Sequence, residues 1–128
     1  MLTMERPAAE AAVSGTFSYW CEWVGTDPVT GAVFFLGAES ELNPRLAMRW
    51  AYARGQAIAP QLTPPASWVI GGWLQDDRER LKAVHQLTDG VEYVLTVREE
   101  SAKYMLTIRP IPSVPLVADA EHGGDGSW

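Results

Sequence analysis

The chain has 128 residues, 47% hydrophobic and 20% charged, with a formal net charge of −6. That length and composition suit one folded domain with its own core, and the acidity excludes indiscriminate nucleic-acid binding, which needs a basic face. A single cysteine excludes an internal disulfide framework and a multi-cysteine zinc site.

Residues 1–14, dominated by Ala, Glu and Pro, read as a flexible tail. They lack the basic start and long apolar core of a secretory leader, and no run in the chain approaches the roughly 18 apolar residues of a membrane span. With a lone thiol, which favours a reducing compartment, the expected location is cytoplasmic. Strict alternation then predicts a strand over Thr16–Val24: Phe17, Tyr19, Cys21 and Trp23 share one face, Ser18, Trp20, Glu22 and Val24 the other. Asp27-Pro28 and Gly31 mark a turn, and Ala32–Ala38 supplies the second arm of a hairpin.

Asn43 before Pro44 is a helix start, an N-cap followed by a residue whose missing N–H costs nothing there. The helix is expected over Pro44–Ile58, burying Leu46, Trp50, Ala53 and Ala57. A second stripe of Arg45, Arg49, Tyr52 and Gln56 makes a basic–aromatic ridge on an acidic protein. It suits a phosphate or an acidic partner, because arginine donates in pairs to such groups; the plainer account is a solvated face paired with Glu39 and Glu41.

Beyond the rigid PQLTPPAS connector, Ser67–Leu74 is apolar and reads as a strand with a bulge at Gly71-Gly72. Asp76–Leu87 is open to two readings: a helix with Asp76, Asp77 and Glu79 at its positive end, or a strand from Leu81 joined through Asp89-Gly90 to the next. The second is favoured, because Asp-Gly before a β run signals a hairpin. Val91–Arg98 and Lys103–Arg109 form a further hairpin, with Tyr93, Leu95 and Val97 on one face and Tyr104, Leu106 and Ile108 on another. Residues 112–128, punctuated by proline and then rich in glycine and acid, read as a second tail around a single compact domain over 15–111. The expected fold is α+β: an antiparallel sheet of about five or six strands with one main helix packed on one face.

No constellation of catalytic residues emerges. Cys21 and His85 would make a nucleophile and base, but no cation sits beside Cys21 to stabilise a thiolate and Glu22 opposes one, so Cys21 reads as a small buried hydrophobe. The two histidines, one of them in a Gly/Asp tail, do not build a metal site, and no cofactor is implied. Asp76-Asp77 and Glu99-Glu100 read as solvated loop carboxylates, and phosphate-cradling glycine motifs are absent.

The most informative feature is six tryptophans, a residue enriched at binding hot spots. Trp20 points away from its strand's core face, and Trp68 and Trp73 fall on opposite faces of a regular strand. The expectation is a small acidic non-enzymatic protein-binding module: an inhibitor, adaptor or assembly subunit of the kind mobile elements carry. It would bind another protein, or a second copy of itself, through Trp20, Trp68, Trp73, Arg45, Arg49 and Tyr52. The alternative is an apolar small molecule, bound by a carrier or minimal enzyme in an aromatic-lined pocket between sheet and helix. Nucleic acid and membranes are not expected partners.

Overall fold

Period-two alternation of burial marks the first and third strands of this protein, whose residues 17–112 are described by a computed structural model. β1 (Phe17–Thr26) and β2 (Val33–Glu41) form one antiparallel hairpin, β3 (Tyr93–Arg98) and β4 (Lys103–Pro112) another. The hairpins join through β1 and β4 into a four-stranded antiparallel sheet of order β2-β1-β4-β3. In the second hairpin Tyr93 opposes Ile108, Leu95 opposes Leu106 and Val97 opposes Tyr104, so the two alternating sets share one face, as directly paired residues must. Ser18–Ile111 make one compact unit. The tails expected at 1–14 and 112–128 lie outside the described residues, apart from Pro112 at the end of β4.

The helical content differs from expectation. The α+β class and the antiparallel sheet hold, but there are four strands rather than five or six, and three α-helices rather than one: α1 (Pro44–Ile58), α2 (Ala66–Leu74) and α3 (Asp77–Thr88). In the segment read as a bulged strand, Ala66, Ile70 and Trp73 are the buried positions, an i, i+4, i+7 spacing that only a helix aligns. Gly71 and Gly72 lie where an added Cβ would meet nothing within 4 Å, so they form no bulge and accommodate no neighbour. In α3 the Asp76 carboxylate accepts the Glu79 amide at 3.0 Å, which caps the helix at its first turn. Asp89 then returns its own N–H to the His85 and Gln86 carbonyls. Asp89-Gly90 therefore closes a helix instead of turning a hairpin.

α1 has the expected bounds, with the Asn43 side chain accepting the Leu46 amide at 2.9 Å, but its buried stripe is turned. Ala47, Met48, Ala51, Tyr52, Gly55 and Ile58 face inward, while Ala53 and Ala57 are exposed. The small residues are the reason: they let the helix backbone approach Trp23, whose indole N–H donates to the Ala51 carbonyl at 3.2 Å. Gly55 completes this contact, since a Cβ there would sit 3.3 Å from the Trp73 ring and 3.6 Å from that of Trp23.

All three helices cover the sheet face that carries Tyr19, Cys21 and Trp23, and each is tied to it by a buried side chain. Trp23 bonds α1, the Tyr19 hydroxyl donates to the Leu87 carbonyl of α3 at 3.3 Å, and the Trp73 indole of α2 donates to the Tyr93 hydroxyl at 2.9 Å. The Tyr93 hydroxyl in turn donates to the Glu79 carboxylate at 2.8 Å, so this polar chain ends on a carboxylate with no orphaned donor. Burial, chiefly, pushes the Tyr93 phenol well above its usual pKa. Of Phe17, Tyr19, Cys21 and Trp23, all expected to face the core, the last three are buried and Phe17, at the start of the strand, is half-buried.

One surface latch ties the connector after α1 to the β3–β4 turn. The Glu99 carboxylate accepts the Thr63 amide at 2.7 Å, the Thr63 hydroxyl at 2.8 Å and the Tyr104 hydroxyl at 3.3 Å. The Thr63 amide and then its hydroxyl hold Glu99 below the usual carboxylate pKa. A lowered folded-state value stabilises the fold above the unfolded pKa and is lost as pH falls through the folded one. The expected result is an acid-side shift of the Thr63 amide resonance, with a midpoint below about 4.3, that is absent in Glu99→Gln. An unshifted midpoint would rule the latch out.

Candidate functional site

The elements of the expected site separate in the structure. Arg45, Arg49 and Tyr52 stand on α1 along one side of a groove of about 690 Å³, together with Met48, Ala53 and Gln56. α3 forms the other side with Asp77, Arg80, Leu81 and Val84. Helical spacing places these residues: 45, 49, 52 and 56 recur on one face of α1, and 77, 80/81 and 84 on one face of α3. Met48 and the nearly buried Tyr52 belong to both core and groove, so the floor is continuous with the packed interior.

Charge around the groove runs against the charge of the chain. Three guanidiniums and one carboxylate border it on a protein of net charge −6. Among the described residues the ion pairs are Lys82–Glu79 at 3.7 Å and Arg109–Glu92 at 3.3 Å; none involves Arg45, Arg49 or Arg80. The pairing of the α1 arginines with Glu39 and Glu41, the plainer account of this ridge, is not formed. Arg80 instead lies over the Tyr52 ring, 4.4 Å from its centroid, a cation–π contact. Burial raises the Tyr52 phenol above its ordinary pKa against the opposing pull of Arg80, and the hydroxyl donates to the Trp73 carbonyl at 3.2 Å. Tyr52 is thus a neutral, fixed element of the floor.

Trp73 is not a surface residue. It is 6% exposed, packs edge-on to Trp23 at 6.0 Å and tilted on Tyr52 at 4.2 Å, so its role is to support the groove from beneath. Trp68 is 71% exposed on the outer side of α2 beside exposed Val69, and Trp20 is half-buried on the sheet face opposite the helices, where its indole donates to Glu22 at 2.9 Å. Neither lines the groove. The same sheet face carries Phe35, opposite Val24, and Val33, opposite Thr26. Of the tryptophans expected to line a pocket between sheet and helix, Trp23 and Trp73 instead fill that space with close-packed rings; a smaller pocket of about 230 Å³ does lie between the sheet and α1, lined by Leu36, Arg54, Ala57, Ile58, Gln61, Leu62 and Tyr104 and by no tryptophan.

Arg80, Leu81 and Val84 are the site residues the sequence reading missed, because α3 was read partly as a strand. The signal that identifies them is Asp76 followed by Glu79, acid at an N-cap and three residues later, a variant of the capping box.

Cys21 is fully buried, and burial, then Glu41 and Glu39, pushes its thiol up to about 12. A thiol so placed is neither nucleophile nor metal ligand at neutral pH. A disulfide reagent at pH 8 is expected to leave native protein unlabelled and to modify Cys21 at once in urea; rapid native labelling would overturn the assignment of Cys21 to the core. Among the described residues no cluster of three His, Cys, Asp or Glu side chains could hold a metal ion, and no helix is long and apolar enough to cross a membrane.

Fold and groove together define a small α+β domain with an aromatic core and a basic helix–helix groove. In comparisons with known proteins, no family model, curated protein or solved structure matches the chain.

Proposed function

We propose that the protein is a small non-enzymatic binding module that docks onto another protein through the α1–α3 groove. The observation that carries this reading is the set of three arginines that have no ion-pair partner among the described residues, around an apolar floor, on a chain whose remaining charge is acidic. Exposed guanidiniums beside exposed Leu81 combine the anchor types that dominate protein interfaces. The three guanidiniums form a local positive patch that an acidic surface complements.

The test is capture from a lysate of the source cells on immobilised full-length protein, with Arg45→Glu/Arg49→Glu beside it. A stoichiometric partner retained by the parent protein and lost by the doubly reversed one is the expected result. Because both arginines are exposed, thermal stability is expected to stay nearly unchanged. Equal retention by both proteins would remove the groove from the interface.

A small anionic amphipath is the second reading, favoured by the groove volume, which falls in the range of ligand sites. It predicts a small mass retained on the chain in native mass spectrometry and no protein partner.

A further inference from the structure

We infer that the segment received by the α1–α3 groove is an acidic amphipathic helix of the partner protein, with carboxylates one turn apart flanking an apolar seam. This inference rests on the docking reading above and specifies what docks.

The shape of the site comes from two helices lying side by side. A third helix fits the depression between two such helices by the same ridge-into-groove packing that joins them, and helix-in-groove recognition is a recurrent use of that geometry. The groove-lining positions of α1 run from Arg45 to Gln56, about three turns at 1.5 Å per residue. That length suits a docked segment of similar extent, presenting apolar residues at i, i+3 or i+4, and i+7.

The chemistry of the lining sets the composition of that segment. Met48, Tyr52, Leu81 and Val84 offer an apolar strip. Methionine adapts to side chains of differing shape, and Leu81 is 58% exposed in the unbound protein. Arg45 and Arg49 are one turn apart on α1, about 6 Å along the axis, and Arg80 stands across on α3. Carboxylates at i and i+4 of a docked helix repeat the α1 spacing, and arginine binds each of them through paired N–H groups. Tyr52 holds Arg80 at the floor's edge through the ring contact, which reduces the side-chain freedom lost on binding. Asp77 is the one acidic residue in the lining among the described residues. It disfavours a uniformly acidic segment and accepts a cation at one end of it.

The probe is a display library of 14-residue helical peptides randomised over Leu, Glu, Lys and Gln, panned on the full-length protein. The expected result is enrichment of a Leu seam with Glu at one-turn spacing. The best sequence, made as a synthetic peptide, should shift the methyl resonances of Leu81 and Val84. Its dissociation constant should weaken about tenfold or more on Arg45→Glu/Arg49→Glu, and also with added salt. Enriched peptides with no acidic excess, or an acidic peptide bound equally by the reversed variant, would overturn the inference. So would occupation of the groove by decanoate when no peptide is enriched, which assigns it to a small anionic amphipath. The two levels separate cleanly. If the cellular partner is lost on arginine reversal but panning yields no acidic helices, docking stands and the acidic-helix assignment fails. If partner capture is indifferent to the reversal, docking through the groove fails with it.

Discussion

Trp73→Ala is expected to lower the unfolding free energy by about 3–5 kcal/mol in a urea titration, a large part of the roughly 5–15 kcal/mol that a domain of this kind possesses. Three losses combine. The ring that fills the space between α1, α2 and the sheet is removed, leaving a cavity that Trp23 and Tyr52, held by their own hydrogen bonds, cannot collapse to fill. The indole N–H that satisfies the Tyr93 hydroxyl disappears, and the Tyr52 ring loses its neighbour at 4.2 Å. Trp73→Phe separates the contributions: it keeps most of the apolar contact and removes the hydrogen bond, so its cost should fall near 1–3 kcal/mol. A loss below about 1 kcal/mol for the alanine variant would mean that the aromatic cluster is not the centre of the core.

The second large effect is expected at Gly55. Helix propensity alone favours substitution, since alanine gains about 1 kcal/mol over glycine in a helix interior. Packing opposes it. A Cβ at Gly55 lies 3.3 Å from the Trp73 ring, 3.5 Å from Leu74 and 3.6 Å from the Trp23 ring, closer to Trp73 than ordinary contact allows. Gly55→Ala sets these two effects against each other and is expected within about 1 kcal/mol of the parent. Gly55→Leu drives three further carbons between two indoles and is expected to cost about 2–3 kcal/mol, measured in the same titration. A neutral leucine variant would show that α1 can lift away from the sheet, and that the small-residue stripe does not set its distance.

Gly55 also shows why the sequence disclosed some of this fold and concealed the rest. Strands were legible where alternation was strict, as in Phe17–Trp23 and the two arms after Gly90, because a period of two has no helical counterpart. The ends of α1 were legible from Asn43-Pro44, whose chemistry is local. Its buried face was not: the reading favoured large residues such as Leu46 and Trp50, whereas close packing against Trp23 selects Ala47, Ala51 and Gly55. The segment SWVIGGWL is apolar on nearly every side, so neither period stands out, and β-prone Trp, Val and Ile together with paired glycines weighed toward a strand. Tertiary packing of Ala66, Ile70 and Trp73 decides for helix. The groove was half legible, since the α1 arginines fall in register on one face; the α3 half depended on an element that the Asp-Gly signal pulled toward a hairpin.

The strand order β2-β1-β4-β3 has a temporal consequence. Each hairpin closes between neighbours in the chain, but the seam at the centre of the sheet joins β1 to β4, with the Thr26 hydroxyl bonded to the Lys103 carbonyl across 77 positions. During synthesis β1 emerges before the other strands, and the partner for its second edge is not made until all three helices have been. Until β4 arrives, the nascent chain presents Tyr19, Cys21 and Trp23 on a half-paired ribbon, a state in which the helices and not the sheet must shelter the aromatic residues. The slowest loop closure, by entropy, is therefore the one that completes the middle of the molecule.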